Sequence, residues 1–222
     1  INKVLDKPQD KEDALITADN WHLDGAAEIS IKNLSFGYDD KYPILKNLNL
    51  EVLPGEKICI QGYENSGKST LLKVLTGMWP NFEGQFLINK NPIQNISQEI
   101  LHKEIAFHFT EDELFAGTLL ENLTLGTPVK SFVELQKVVN LVGLEDFIST
   151  KSSGFETMLD PQGKKLSYNI AQKILIARCI FKQPSLILLD ESWMGIEPET
   201  ILKITDYLTD KNNKITLIAI ND

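Results

Sequence analysis

Along the chain, apolar positions first alternate, then cluster, then fall into helical spacing. After Glu28 the residues Ile29 and Ile31, and then Leu34 and Phe36, take every second position, which predicts a strand with one buried face. Residues 44–52 predict a second strand, closed by the turn Pro54-Gly55. The unbroken run Lys57-Ile58-Cys59-Ile60-Gln61 predicts a buried strand, and Thr70-Leu71-Leu72-Lys73-Val74-Leu75 has the spacing of a helix. Next come a turn at Phe82-Glu83-Gly84, a strand over 85–88, a turn over 89–92, a helix over 97–102 and a short strand over 105–109. From about 118 to 181 the pattern is helical, with Phe132, Leu135, Val138, Val139 and Val142 three or four apart, and it predicts an inserted helical subdomain. Residues 185–191 predict a buried strand that ends in Asp190 and Glu191, followed by a helix near 198–208 and a buried strand over 216–220. Strand, helix and strand in that order imply a parallel sheet. The opening 1–25 is polar and without sustained period, so it reads either as a linker entering a domain over 26–222 or as a terminal tail.

Between the predicted third strand and its helix lies Gly62-Tyr63-Glu64-Asn65-Ser66-Gly67-Lys68-Ser69-Thr70, a full match to the pattern G-x-x-x-x-G-K-[ST] in the strand-to-helix setting the pattern needs. Backbone N–H groups of such a loop, with the positive end of the helix, surround nucleotide phosphates. Lys68 is then expected on the terminal phosphates and the Ser69 hydroxyl on magnesium. Asp190, after four apolar residues, is the second half of this pattern. A carboxylate at the carboxyl end of a parallel strand holds magnesium through water, and Glu191 beside it is placed to orient or deprotonate an attacking water.

Composition narrows the remaining choices. The chain has 222 residues, is 42% hydrophobic and has a net charge of -9, which provides a core and argues against nucleic acid as a partner. The two cysteines, Cys59 and Cys179, read as core residues in a reducing, cytoplasmic setting. No apolar run reaches the roughly 18 to 20 residues that span a bilayer.

Taken together, these motifs resemble the nucleotide-binding domain of ATP-binding cassette (ABC) transporters over about 28–222. The resemblance implies an α/β fold of the P-loop nucleoside triphosphate hydrolase type, with a mostly parallel core, an antiparallel β subdomain and an inserted helical subdomain. It also implies ATP and magnesium as ligands and an ABC-type ATPase activity. Phe36-Gly37-Tyr38 sits where the family places the aromatic residue that stacks on adenine, which makes Tyr38 the base contact. The segment from Glu113-Leu114-Phe115 to Leu120-Glu121-Asn122 resembles the one that exporters carry after their glutamine loop. Ile1-Asn2-Lys3-Val4-Leu5-Asp6 is similar to the exit from the last membrane helix of a fused exporter, implying a membrane-spanning domain upstream and a place at the cytoplasmic face of the membrane.

The departures from the family pattern lie mostly in the half that closes a dimer. Thr110 stands at the family's glutamine, and the signature Leu-Ser-Gly-Gly-Gln reads Leu166-Ser167-Tyr168-Asn169-Ile170, so Ser167 alone keeps its type as the contact to a partner's γ-phosphate. The loop after Glu191 reads Met194-Gly195-Ile196-Glu197. Asp222, or Asn221 if the register slips by one, lines up with the switch histidine, since the three histidines are His22, His102 and His108. In the phosphate loop Asn65 replaces a glycine, and asparagine tolerates positive φ. Two functions stay open: a slow ATPase domain of an exporter, paired with an identical or a different second domain, and a non-catalytic, ATP-gated module that regulates a competent partner. A soluble cassette ATPase of repair or translation is disfavoured by the acidity and by the exporter-like segment.

Overall fold

The structure, a computed structural model, describes residues 25–39, 41–191 and 193–220. The expected linker, apart from Gly25, and the switch position at 221–222 lie outside them. In chain order the elements are β1 (Ile29–Phe36), β2 (Leu45–Val52), β3 (Lys57–Ile60), α1 (Lys68–Leu75), β4 (Glu83–Ile88), β5 (Asn91–Pro92), α2 (Gln98–Glu104) and β6 (Ile105–His108). They continue with β7 (Gly117–Thr118), α3 (Leu119–Thr124), α4 (Phe132–Leu141), α5 (Glu145–Ser149), β8 (Met158–Leu159), α6 (Tyr168–Phe181), β9 (Leu186–Asp190), α7 (Pro198–Thr209) and β10 (Thr216–Ile220).

The strands form an antiparallel sheet in the order β2-β1-β4-β5 and a parallel sheet in the order β3-β10-β9-β6. In β1 all four expected residues are buried, and the change of parity between Ile31 and Leu34 coincides with a register shift at Asn33, whose φ of 50° is left-handed. One extra residue keeps both halves of the strand facing the core. Asn89 and Lys90, both with positive φ, make the two-residue turn from β4 to β5, where asparagine is favoured.

Strand β9 is buried at every position because helices and strands cover both faces of the parallel sheet. Leu186 and Leu188, with Ile218 of β10, join a core that contains α1, α2 and the antiparallel sheet. Ile187, Leu189 and Leu217 face the other way, into a core built with residues of α3, α4, α6 and α7. The helical stretch between 118 and 181 also contains the short β7–β8 ladder. Strand β3 departs from expectation. It is an edge strand, so it is only partly buried and Cys59 is exposed, whereas Cys179 is buried on α6. A strand with a neighbour on one side alone leaves half its flank open, which a run of apolar letters does not reveal.

Candidate functional site

The parallel register decides where the chemistry gathers. Asp190 is level with Ile220 on β10, and Ile220 is level with Ile60 on β3, so the phosphate loop leaves β3 at the same sheet edge where β9 ends in Asp190. Two strand spacings separate them, about 10 Å. Alternation along β9 puts Asp190 on the face of Leu186 and Leu188, which is the face α1 covers. Asp190 is 3% exposed. Ligands of open α/β sheets bind beyond such carboxyl ends.

The loop has the backbone of a phosphate cradle. Asn65 has φ 61° and Gly67 has φ 92°, so the tolerance expected of asparagine is used. A side chain at Gly67 would also press on Ile44 and Leu45 at 3.1 and 3.2 Å, which ties the loop to the start of β2. Lys68 is buried, its ammonium donating to the carbonyls of Gly62 at 2.9 Å and Tyr63 at 3.1 Å, so it closes the loop on itself. Glu64, Asn65 and Ser66 are exposed at the rim, and Ser69 and Thr70 are half-buried in the first turn of α1. Immediately after Asp190, Glu191 takes φ 46°, a conformation unusual outside glycine and asparagine, and the strand ends there.

Among the described residues, no three His, Cys, Asp or Glu converge as a metal cluster. Magnesium takes one or two protein ligands and completes its shell with water and substrate phosphates. Ser69 and Asp190 are of the right type and at the right sheet edge.

Tyr38 follows β1 and is 51% exposed, with one edge against Phe36 at 5.3 Å and another ring, Trp79, at 5.2 Å between centroids. Trp79 was not legible as a partner, because 41 residues separate it from Tyr38. Lys73, on α1, pairs with Glu111 beside the exposed Thr110, and that bond holds its ammonium above its usual range although burial opposes it.

Ser167 lies elsewhere. It caps α6, its hydroxyl accepting from Ile170 N at 3.4 Å, and α6 packs on the face of the parallel sheet opposite α1. The structure therefore brings Asp190, Glu191, Lys68, Ser69 and the loop to one edge and keeps Ser167 apart. The altered residues beside it are engaged. Asn169 Nδ2 donates to Gly195 O at 2.6 Å, and the Tyr168 ring covers Gly195 so closely that a Cβ there would meet it at 2.7 Å. Lys173, buried, binds Glu197 at 2.8 Å and Gly143 O at 3.2 Å. The hydrogen bond from Lys173, with the Glu197 backbone and Asn169 adding to it, pulls the Glu197 carboxyl down to about 2.

The segment 113–122 is explained by one buried side chain. Asn122, fully buried, accepts from Phe115 N and Arg178 and donates to the carbonyls of Phe115 and Thr118. Thr118 and Glu121 form a capping box at the start of α3.

A phosphate loop between strand and helix, with a buried aspartate two parallel strands away at the same edge, defines a P-loop nucleotide-binding protein. The family model described as ABC transporter matches residues 45–193, more than half of the chain, and the chain belongs to that family as an ABC-type ATPase domain. It is 30% identical over 218 residues to the uncharacterized ABC transporter ATP-binding protein YwjA of Bacillus subtilis, covering 98% of this chain and 38% of that protein. It is 28% identical over 219 residues to the glutathione/L-cysteine transport system ATP-binding/permease protein CydC of Escherichia coli, again 98% of this chain and 38% of that one. A solved structure of a bacterial Atm1-family ABC exporter with ATP bound superposes with a TM-score of 0.84 at 27% identity, over 96% of this chain and 36% of that chain. The chain thus spans little more than a third of these relatives. Among the described residues no helix is long and apolar enough to cross a membrane.

Proposed function

We propose that the chain is the cytoplasmic nucleotide-binding part of an exporter, in which Mg-ATP binding closes a pair of such domains and slow hydrolysis reopens it. The observation that carries this is the shared edge of Ile60, Ile220 and Asp190, with a left-handed Asn65 and Gly67 shaping the loop between β3 and α1. Backbone N–H groups of 62–67 surround the phosphates, helped by the N-terminal end of α1. Lys68 leaves the loop carbonyls for the terminal phosphates, and Tyr38 stacks on adenine. Ser69 and Asp190 hold magnesium, which when bound neutralises charge on the phosphate oxygens. Glu191 accepts a hydrogen bond, and then a proton, from the water that attacks the γ-phosphorus. Ser167 faces the nucleotide of a second chain, because its own phosphate loop lies across the sheet. The membrane-spanning domain is the second partner. A cleft of about 410 Å³ lined by Phe107, Asp112, Thr124, Leu125 and Arg178, close to Thr110, offers it a docking surface.

A second reading is favoured by the bond from Asn169 to Gly195. With the signature side chains held against the chain's own loop, this domain serves as an ATP-gated regulator of a competent partner and hydrolyses little itself.

Calorimetry with Mg-ATP tests the site. Lys68→Ala removes hydrogen bonds to charged oxygens, worth about 1.5 to 3 kcal/mol, so affinity should fall roughly ten- to a hundredfold, and turnover in the same wild-type sample should stay well below the roughly 1 to 100 per second of kinases. Equal affinity in the two proteins would remove the phosphate-loop assignment.

A further inference from the structure

Three rings meet edge to face at the far end of α1. Phe36 and Tyr38 lie 5.3 Å apart at 81°, Tyr38 and Trp79 5.2 Å apart at 82°, and Phe36 and Trp79 6.1 Å apart at 63°. Phe36 is buried in the core, while Tyr38 and Trp79 are 51% and 42% exposed. Phe36 thus anchors the group, and the two outer rings brace each other in the orientation that aromatic quadrupoles favour.

The turn that delivers Trp79 is tightly built. Thr76 Oγ1 donates to Lys73 O at 2.6 Å and accepts from Met78 N at 3.2 Å. Gly77 has φ 78°, where any other residue would be strained, and a Cβ there would press on the side-chain ends of Leu101 at 2.7 Å and Ile93 at 3.0 Å. Trp79 is consequently fixed to the carboxyl end of α1, whose first residue is Lys68. Eight residues of helix, about 12 Å long, connect the phosphate cradle to the ring that braces Tyr38.

We propose that Trp79 is a positioning residue for base recognition: it holds the Tyr38 ring upright, so that one short helix sets the phosphate end and the base end of the nucleotide site together. The proposal rests on Tyr38 being the adenine contact. Without the brace, Tyr38 keeps one edge-to-face neighbour and rotates more freely about its side-chain bonds, and stacking must then pay for ordering it. Phosphate contacts do not pass through Trp79 and are unaffected.

The test compares ATP with inorganic tripolyphosphate, each with magnesium, by calorimetry on the 222-residue chain, using wild type, Tyr38→Ala, Trp79→Leu and Trp79→Phe. Leucine keeps an apolar body at a half-exposed site, which protects the fold while removing the ring. The expected result is ATP affinity about three- to tenfold weaker in Trp79→Leu, tripolyphosphate affinity unchanged, and ATP affinity restored in Trp79→Phe. If Tyr38→Ala weakens ATP binding but Trp79→Leu does not, or if Trp79→Leu weakens both ligands equally, the positioning role is overturned and the nucleotide site stands. If Tyr38→Ala binds ATP as wild type does, the adenine contact itself is wrong, and the role of Trp79 is overturned with it.

Discussion

Cys59 is exposed on the edge strand β3, whereas Cys179 is buried on α6, its thiol against the carbonyl of Phe107 at 3.2 Å. Burial, reinforced by Asp112, pushes the Cys179 thiol up to about 12, so at neutral pH it holds no appreciable thiolate. An aromatic disulfide reagent at pH 7.5 should therefore titrate one thiol in the native chain, lost in Cys59→Ser, and the second only after denaturation. Two fast thiols in the native chain would contradict the burial of Cys179. At this scale the sequence was readable at Asn65, where the residue type signals the backbone, and not at Glu191, whose φ of 46° no residue preference announces. Asn65 was expected to accept positive φ and does so at 61°. It was unreadable where a neighbour decides, as with the exposure of Cys59 and the contact from Trp79 to Tyr38.

Among the elements, the start of α6 and the loop before α7 behave as one unit. Asn169 binds Gly195, Tyr168 lies over it, and Lys173 joins Glu197 to Gly143. The departures from the usual signature and from the loop after Glu191 therefore fit each other: a glycine at 195 makes room for the tyrosine at 168. Because Glu197 titrates near 2 when folded and near 4.5 ordinarily, its contribution to stability is complete above about 4.5 and is lost as pH falls toward 2. Its side chain is 54% exposed, so water screens the pair and the contribution is at most about 1 kcal/mol. Urea unfolding should find Glu197→Gln less stable than wild type at pH 7 by that amount, with the gap narrowing steadily below pH 4.5. A gap independent of pH would mean that Lys173 does not bind the carboxylate. The longer elements were legible from period and from Gly, Pro and Asn signals, whereas the two-residue strands β5, β7 and β8 were not. This mutual fit was not, because it joins residues about 26 apart through side chains that no local pattern pairs.

At the scale of the whole molecule, two cores share one parallel sheet, with the phosphate loop over one and the signature helix over the other. The parallel sheet was readable, since strand, helix and strand follow in order and the apolar run of β9 ends in Asp190 after a complete phosphate loop; the two cores were not. The packing of Leu186 and Leu188 against α1, with Ile187 and Leu189 on the opposite side, was not. On the proposed function, Ser167 would meet a nucleotide only across a pair of chains, and the clamp at Gly195 would leave Tyr168 and Asn169 where glycines let a phosphate approach. A pair of these chains would carry the alteration twice, whereas a partner with the unaltered signature completes one site, which favours an asymmetric pair. Light scattering of Glu191→Gln chain with Mg-ATP, before and after adding Tyr168→Gly and Asn169→Gly, measures this directly. A monomer's mass is expected before the glycines and an ATP-dependent dimer after them; a tight ATP-dependent dimer before they are introduced would contradict the asymmetric pairing.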